Sequence, residues 1–323
     1  MILNLFMMLN YKEQVSKMTS TEMKELLPNW NIGGVPAWIN NNSWEISDEY
    51  ILKIYKKREE LERSIVLLEA LKDIGMPVAE IVPVIEGDKY LERECVYYFM
   101  TRKLPGSSIL TLREEPEQIY SRMGKVIGKL HVALRELETH IDFWDNSLFS
   151  EMKGWIPGAL SKSNWKYIGK DDYQETVNYL GTIYDELPKQ LIHRDVHFGN
   201  FLFEQGEFTG YIDFDLSQKN IRIFDIAYFL LGLLCDEKHY GEDREKWFNL
   251  VAWVISGYEE SIPLEEVEKT YLSTVMECIE ILFTAYFLSV QEDRLAKDSA
   301  QLFYFIKANA NKIREKALDS DIM

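Results

Sequence analysis

LIHRDVHFGNFLF, residues Leu191 to Phe203, sets two histidines, an arginine, an aspartate and an asparagine between two apolar runs. The apolar flanks favour burial, so they hold a short polar turn at both ends. The chain continues as NFLFEQGEFTGYIDFD, which reads as a hairpin of two short strands around Gln205-Gly206. Asp195 and Asn200 stand five positions apart, and Asp213 follows thirteen after Asn200 on the second strand. A hairpin of that length can return Asp213 to the neighbourhood of Asn200. An amide oxygen and a carboxylate converging there suit a hard cation such as Mg²⁺, which takes oxygen ligands and keeps several waters. Asp195 would stand free of the metal, able to orient an incoming hydroxyl and accept its proton, a general-base contribution of roughly 10² to 10⁴ in rate. Loop capping by Asx turns explains each of these residues singly, but not their joint spacing.

Upstream, YILKIY (Tyr50 to Tyr55) alternates like a half-buried strand and CVYYFMTRKL (Cys95 to Leu104) is rich in strand formers. GGVPAWINNNSWEI reads as strand, turn and strand, with Asn40 to Asn42 as the turn. REELERSIVLLEALKDIG carries apolar residues at 61, 65, 68 and 71, a helical spacing, and Gly75 is its stop before Pro77. Lys53 lies inside an apolar strand, which is costly unless it meets an anion; a snorkelling edge-strand lysine is the bland alternative. KLPGSS, from Lys103, breaks the strand pattern, and the remaining chain is mostly helical. The expectation is two regions, a sheet-rich one over 1–102 and a larger, mostly helical one over 103–323.

The pair HRDVHFGN and IDFD is similar to the catalytic and metal-binding loops of the aminoglycoside phosphotransferase family, relatives of the protein kinases. The resemblance implies an α+β, two-lobed protein-kinase-like fold. Its small N-terminal lobe, 1–102, would be an antiparallel β-sheet with one helix and bind nucleotide, and its larger C-terminal lobe, 103–323, would be mostly helical and carry catalysis and substrate binding. It implies Asp195 as catalytic residue, Asn200 and Asp213 as Mg²⁺ ligands, His193 holding the two loops together, and Asp225 of FDIAYF bracing the catalytic loop. It also implies that Lys53 grips the nucleotide phosphates, and that backbone groups of Met100, Thr101 and Arg102 hold the adenine edge. The family usually pairs the strand lysine with a helix glutamate; the matching position falls at or near Ser64, and Glu62 is the expected partner. No G-x-G-x-x-G loop is present, and INNNSWE stands in its place. The implied activity is transfer of the γ-phosphate of ATP, with GTP also open, to a hydroxyl of an aminoglycoside-like or other small acceptor. A catalytically silent relative and a protein kinase are the alternatives. Against the protein kinase, only eleven residues separate Asp213 from Asp225, too few for an activation segment.

Composition narrows the setting. With 46% hydrophobic and 13% aromatic residues among 323, core material is ample and wholesale disorder is excluded. A formal net charge of −17 repels nucleic acid and anionic membranes and is compatible with a cationic acceptor. Cys95, Cys235 and Cys278 lack paired spacing, as expected in a reducing cytoplasm. The apolar start MILNLFMMLN has no basic residue before it and is not read as a signal peptide.

Overall fold

A computed structural model describes residues 18–319 apart from 41, 109–114, 139–140, 142, 144 and 242; the apolar N-terminal run lies outside the described residues. Along the chain come α1 (Ser20–Leu26), β1 (Pro36–Asn40), β2 (Ser43–Ile46), β3 (Tyr50–Tyr55), α2 (Arg58–Asp73), β4 (Leu91–Arg93) and β5 (Val96–Arg102). Then follow α3 (Pro116–Glu138), α4 (Leu148–Lys153), α5 (Ile156–Lys162), α6 (Lys170–Ile183) and β6 (Lys189–Ile192). The hairpin is β7 (Phe201–Glu204) and β8 (Glu207–Tyr211), followed by β9 (Gln218–Ile221). The chain ends in α7 (Ile223–Leu234), α8 (Trp247–Glu259), α9 (Glu266–Ser289), α10 (Asp293–Ala308) and α11 (Ala310–Leu318). This is the expected α+β fold, an antiparallel sheet with a helix first and a mostly helical part after it.

The chain divides into two compact units, Met1–Thr111 with His197–Leu216, and Leu112–Val196 with Ser217–Met323. This differs from a single cut at 102/103, because the hairpin goes with the N-terminal residues. The cause is backbone pairing. Ser107 exchanges two hydrogen bonds of 3.0 Å with Phe203, and the Tyr211 N–H donates to the Pro77 carbonyl at 2.9 Å.

In the first unit the sheet runs β1-β2-β3-β5-β4, all antiparallel. Successive residues of β3 face opposite sides. Leu52 and Ile54 pack with Met23, Leu26, Trp30 and Trp44, whereas Tyr55 packs with Leu61 and Ile65 of α2. That alternation puts Lys53 on the side of α2. The hairpin turn holds Gln205 at φ 53° and Gly206 at φ 87°. A two-residue turn that follows the strand twist needs these left-handed values at both central positions.

In the second unit α3 and α8 approach each other through glycines. A Cβ at Gly257 would overlap the Ser121 carbonyl, and one at Gly124 would overlap the Val254 carbonyl. Helix α9 is long and apolar enough to cross a bilayer by length and composition, but 78% of its apolar window is buried inside the protein. It is a core helix, and the core contains the carboxyl of Glu280, 2% exposed. Burial pushes that carboxyl up to about 8.

Two stability measurements follow. Gly257→Ala, forcing a methyl into a neighbouring backbone, is expected to cost about 2–3 kcal/mol in urea denaturation. Glu280 is protonated in the folded protein where the unfolded carboxyl is ionised, so stability falls as pH rises from about 4.5 to about 8. Glu280→Gln should therefore show a smaller drop in melting temperature between pH 6 and pH 8 than the parent chain; an equal drop would remove Glu280 as the source.

Candidate functional site

The first unit holds one cluster of site residues. Lys53 Nζ lies 2.7 Å from Asp213 Oδ1 and 2.9 Å from Asp215 Oδ2. Burial works against the ammonium charge, but the two carboxylates outweigh it and hold the Lys53 pKa well above that of a free lysine. Asp215 Oδ1 also accepts from Tyr55 Oη at 2.7 Å and from Ser64 Oγ at 2.9 Å. Burial alone would raise the Asp215 carboxyl; Lys53, Tyr55 and Ser64 together bring it below its ordinary value.

The hairpin does what its length allows. Phe201 stands opposite Tyr211, and the Ile212 N–H donates to the Asn200 carbonyl at 3.1 Å, which carries Asp213 back beside Asn200. Asp213 has φ 67°, a left-handed value uncommon for a residue with a side chain and one that marks functional sites. His197 caps the turn before Asn200, its Nδ1 accepting the Gly199 N–H at 2.9 Å. An amide oxygen and a carboxylate on one hairpin form a donor set that fits a divalent cation such as Mg²⁺.

One expectation is corrected. Glu62 does not meet Lys53; it accepts from Arg58 Nε at 2.8 Å on the exposed side of α2. The buried face of α2 comprises Leu61, Ser64, Ile65, Leu67 and Leu71, so Ser64 points inward where a partner for Lys53 would stand. Met100, Thr101 and Arg102 lie in β5, where the Met100 carbonyl accepts from Val82 N, the Arg102 N–H donates to the Glu80 carbonyl, and Thr101 is paired with Ile51 and Ile81 on its two sides.

The second unit holds the turn that carries Asp195. Asp225, fully buried at the start of α7, accepts the backbone N–H groups of His193 and Arg194, each at 2.9 Å. His131 Nε2 of α3 lies 3.0 Å from the same carboxylate, and its Nδ1 lies 2.9 Å from Tyr258 Oη. The His193 ring accepts the Asp195 N–H at 3.3 Å. Arg194, at φ 68°, anchors the turn sideways: its guanidinium pairs with Glu151 of α4 and donates to Gln218 of β9 at 2.8 Å. Asp195 is 3% exposed and accepts from Tyr228 Oη of α7 at 3.0 Å. Phe224 and Phe283 flank the Tyr228 ring, with centroids 6.3 and 6.0 Å away.

Sequence reasoning expected Asp225 and did not assign the contacts of His131, Tyr228, Glu151, Tyr55 and Asp215. Nothing local marked them, since the partners lie 33 to 160 residues away.

Residues 35–249 match the model of the phosphotransferase enzyme family. Among curated proteins the chain is 25% identical over 266 residues to a homoserine kinase of Zymomonas mobilis, covering 74% of each chain. It is 27% identical over 284 residues to a homoserine kinase of Phenylobacterium zucineum, covering 79% of this chain and 80% of that one. Among solved structures, an amicoumacin kinase in complex with AMP-PNP and Ca²⁺ superimposes with a TM-score of 0.64 at 18% identity, covering 87% of this chain and 88% of that one. A microcompartment-associated aminopropanol kinase superimposes with a TM-score of 0.63 at 14% identity, covering 90% and 98%. At these identities the solved structures speak for the fold, while the family match spans more than half of the chain. The chain therefore belongs to the phosphotransferase enzyme family and is a small-molecule phosphotransferase acting on a hydroxyl.

Proposed function

We propose that the protein transfers the γ-phosphoryl group of ATP to the hydroxyl of a small amino alcohol such as homoserine, in the cytoplasm. The observation that carries this reading is the convergence of Lys53 on Asp213, next to Asn200 on the same hairpin. A lysine, a carboxylate and an amide oxygen gathered on a flexible-phosphate scale answer the needs of a metal–nucleotide complex. The acceptor is suggested by the homoserine kinases, several of which share 74% or more of their length with this chain. A protein substrate is not supported: the segment between Asp213 and Asp225 is filled by a short turn at Phe214–Leu216, strand β9 and the start of α7.

In this reading Asp195 is the base. The acceptor oxygen forms a bond to the γ-phosphorus, its proton passes to the Asp195 carboxylate, and the bond to the departing nucleoside diphosphate breaks. Tyr228 donates to Oδ1 of Asp195 and orients the carboxylate. Lys53 neutralises phosphate charge. Asn200 and Asp213 would hold a divalent cation, Mg²⁺ in the cell, which when bound neutralises phosphate charge as well. Asp225 and His193 keep the loop that carries Asp195 in place.

Nucleotide consumption by the purified protein should rise on adding one compound from a panel of homoserine, aminopropanol, ethanolamine, choline, aminoglycosides and macrolides. No stimulation by any acceptor, with no thermal shift from Mg-ATP, would favour a catalytically silent protein. Asp195→Ala should lower turnover by about 10² or more while leaving the Mg-ATP thermal shift intact. Asp213→Ala should abolish the metal-dependent part of that shift; an unchanged shift would remove Asp213 from the cation site.

A further inference from the structure

The α2 carboxylate expected to meet Lys53, Glu62, pairs with Arg58 instead, and the structure supplies another. We propose that Asp215 is a positioning residue that holds Lys53 at the nucleotide phosphates, with Ser64 coupling it to α2. This rests on the reading of Lys53 as the phosphate-binding group.

Three side chains from two different elements converge on Asp215. Lys53 and Tyr55, on the same side of β3, reach it at 2.9 and 2.7 Å, and Ser64 of α2 reaches it at 2.9 Å. Ser64 is 3% exposed and Tyr55 6%, so these donors are held in a region where an unmatched carboxylate would be costly. A carboxylate has about four acceptor directions, and donors already occupy three of those of Asp215. That leaves it poorly suited to a metal ion and well suited to fixing an ammonium. Asp213, two residues earlier and in left-handed geometry, shares Lys53. When Asp213 turns to a cation, Asp215 keeps Lys53 in place. A strand-borne lysine thus gains a fixed counter-charge from the segment after the hairpin, and Ser64, small enough to leave room, ties that segment to the helix.

The test reads nucleotide affinity separately from acceptor affinity. Asp215→Asn should raise the KM for nucleotide about tenfold or more and shrink the Mg-nucleotide thermal shift, with the KM for acceptor changed by less than about twofold. Moving the charge to the helix should repair it: Ser64→Glu in the Asp215→Asn background should recover at least about a third of the lost affinity on a logarithmic scale, and Ser64→Gln should recover none. If Asp215→Asn folds poorly, Tyr55→Phe and Ser64→Ala serve instead, and at least one should raise the nucleotide KM about threefold with the acceptor KM unchanged. Asp215→Asn with parental nucleotide binding, equal effects of Ser64→Glu and Ser64→Gln, or parental nucleotide KM in both substitutes would overturn the proposal. A parent chain that shows no Mg-nucleotide shift at all would overturn the reading of Lys53 itself, and this inference with it.

Discussion

The turn that carries Asp195 depends on one buried carboxylate. Asp225 takes the N–H groups of two consecutive residues, His193 and Arg194, in a place with no access to water. Arg194 sits at a positive φ that an ordinary side chain adopts only when its surroundings compel it. An unsatisfied buried N–H costs about 1–3 kcal/mol, so two bonds of this kind outweigh the local strain. His131 and Tyr258 extend the network from helices α3 and α8, the pair that meets through Gly124 and Gly257. The close helix contact and the loop conformation are therefore parts of one arrangement: glycine permits the approach, the approach places His131, and His131 orients the carboxylate.

The two clusters show different styles of charge management. Asp195 is met by a neutral donor, Tyr228, set between Phe224 and Phe283. Around Lys53 the charges are paired directly, one ammonium against two carboxylates, with hydroxyl groups completing the shell. The first arrangement suits a group whose proton must change hands. The second suits one whose charge must stay fixed.

Much of this was legible in the sequence where the signal is short in range. The hairpin could be read because Gln205-Gly206 and two strand-length runs lie within a dozen residues, and its length alone returned Asp213 to Asn200. Helix α2 and its stop at Gly75 followed from periodicity, and the structure ends the helix at Asp73 with Gly75 at φ 81°. The partner of Lys53 was misplaced because a glutamate near the right position outweighed the helical face on which it stood; Leu61 and Ile65 point inward and Glu62 between them cannot. Strand composition located β5, but which of its carbonyls and N–H groups were already used depended on residues 80 and 82, outside the strand, whose pairing has no local signature. Asp215, His131 and Tyr228 were unassigned because their roles come from pairings across the chain.

The buried carboxyls of α9 have a thermodynamic consequence of their own. Glu280 is pushed up to about 8, and Glu277 on the same helix to about 7, both by burial. Near neutral pH the native state therefore holds protons that the unfolded chain gives up. Unfolding discharges them into the solvent, where the buffer absorbs them with its own heat of ionisation. The unfolding heat seen in a calorimeter will accordingly differ between phosphate and amine buffers at one pH, and the difference counts the net protons exchanged, to which these two carboxyls contribute release and His239, held down to about 4 by burial, contributes uptake.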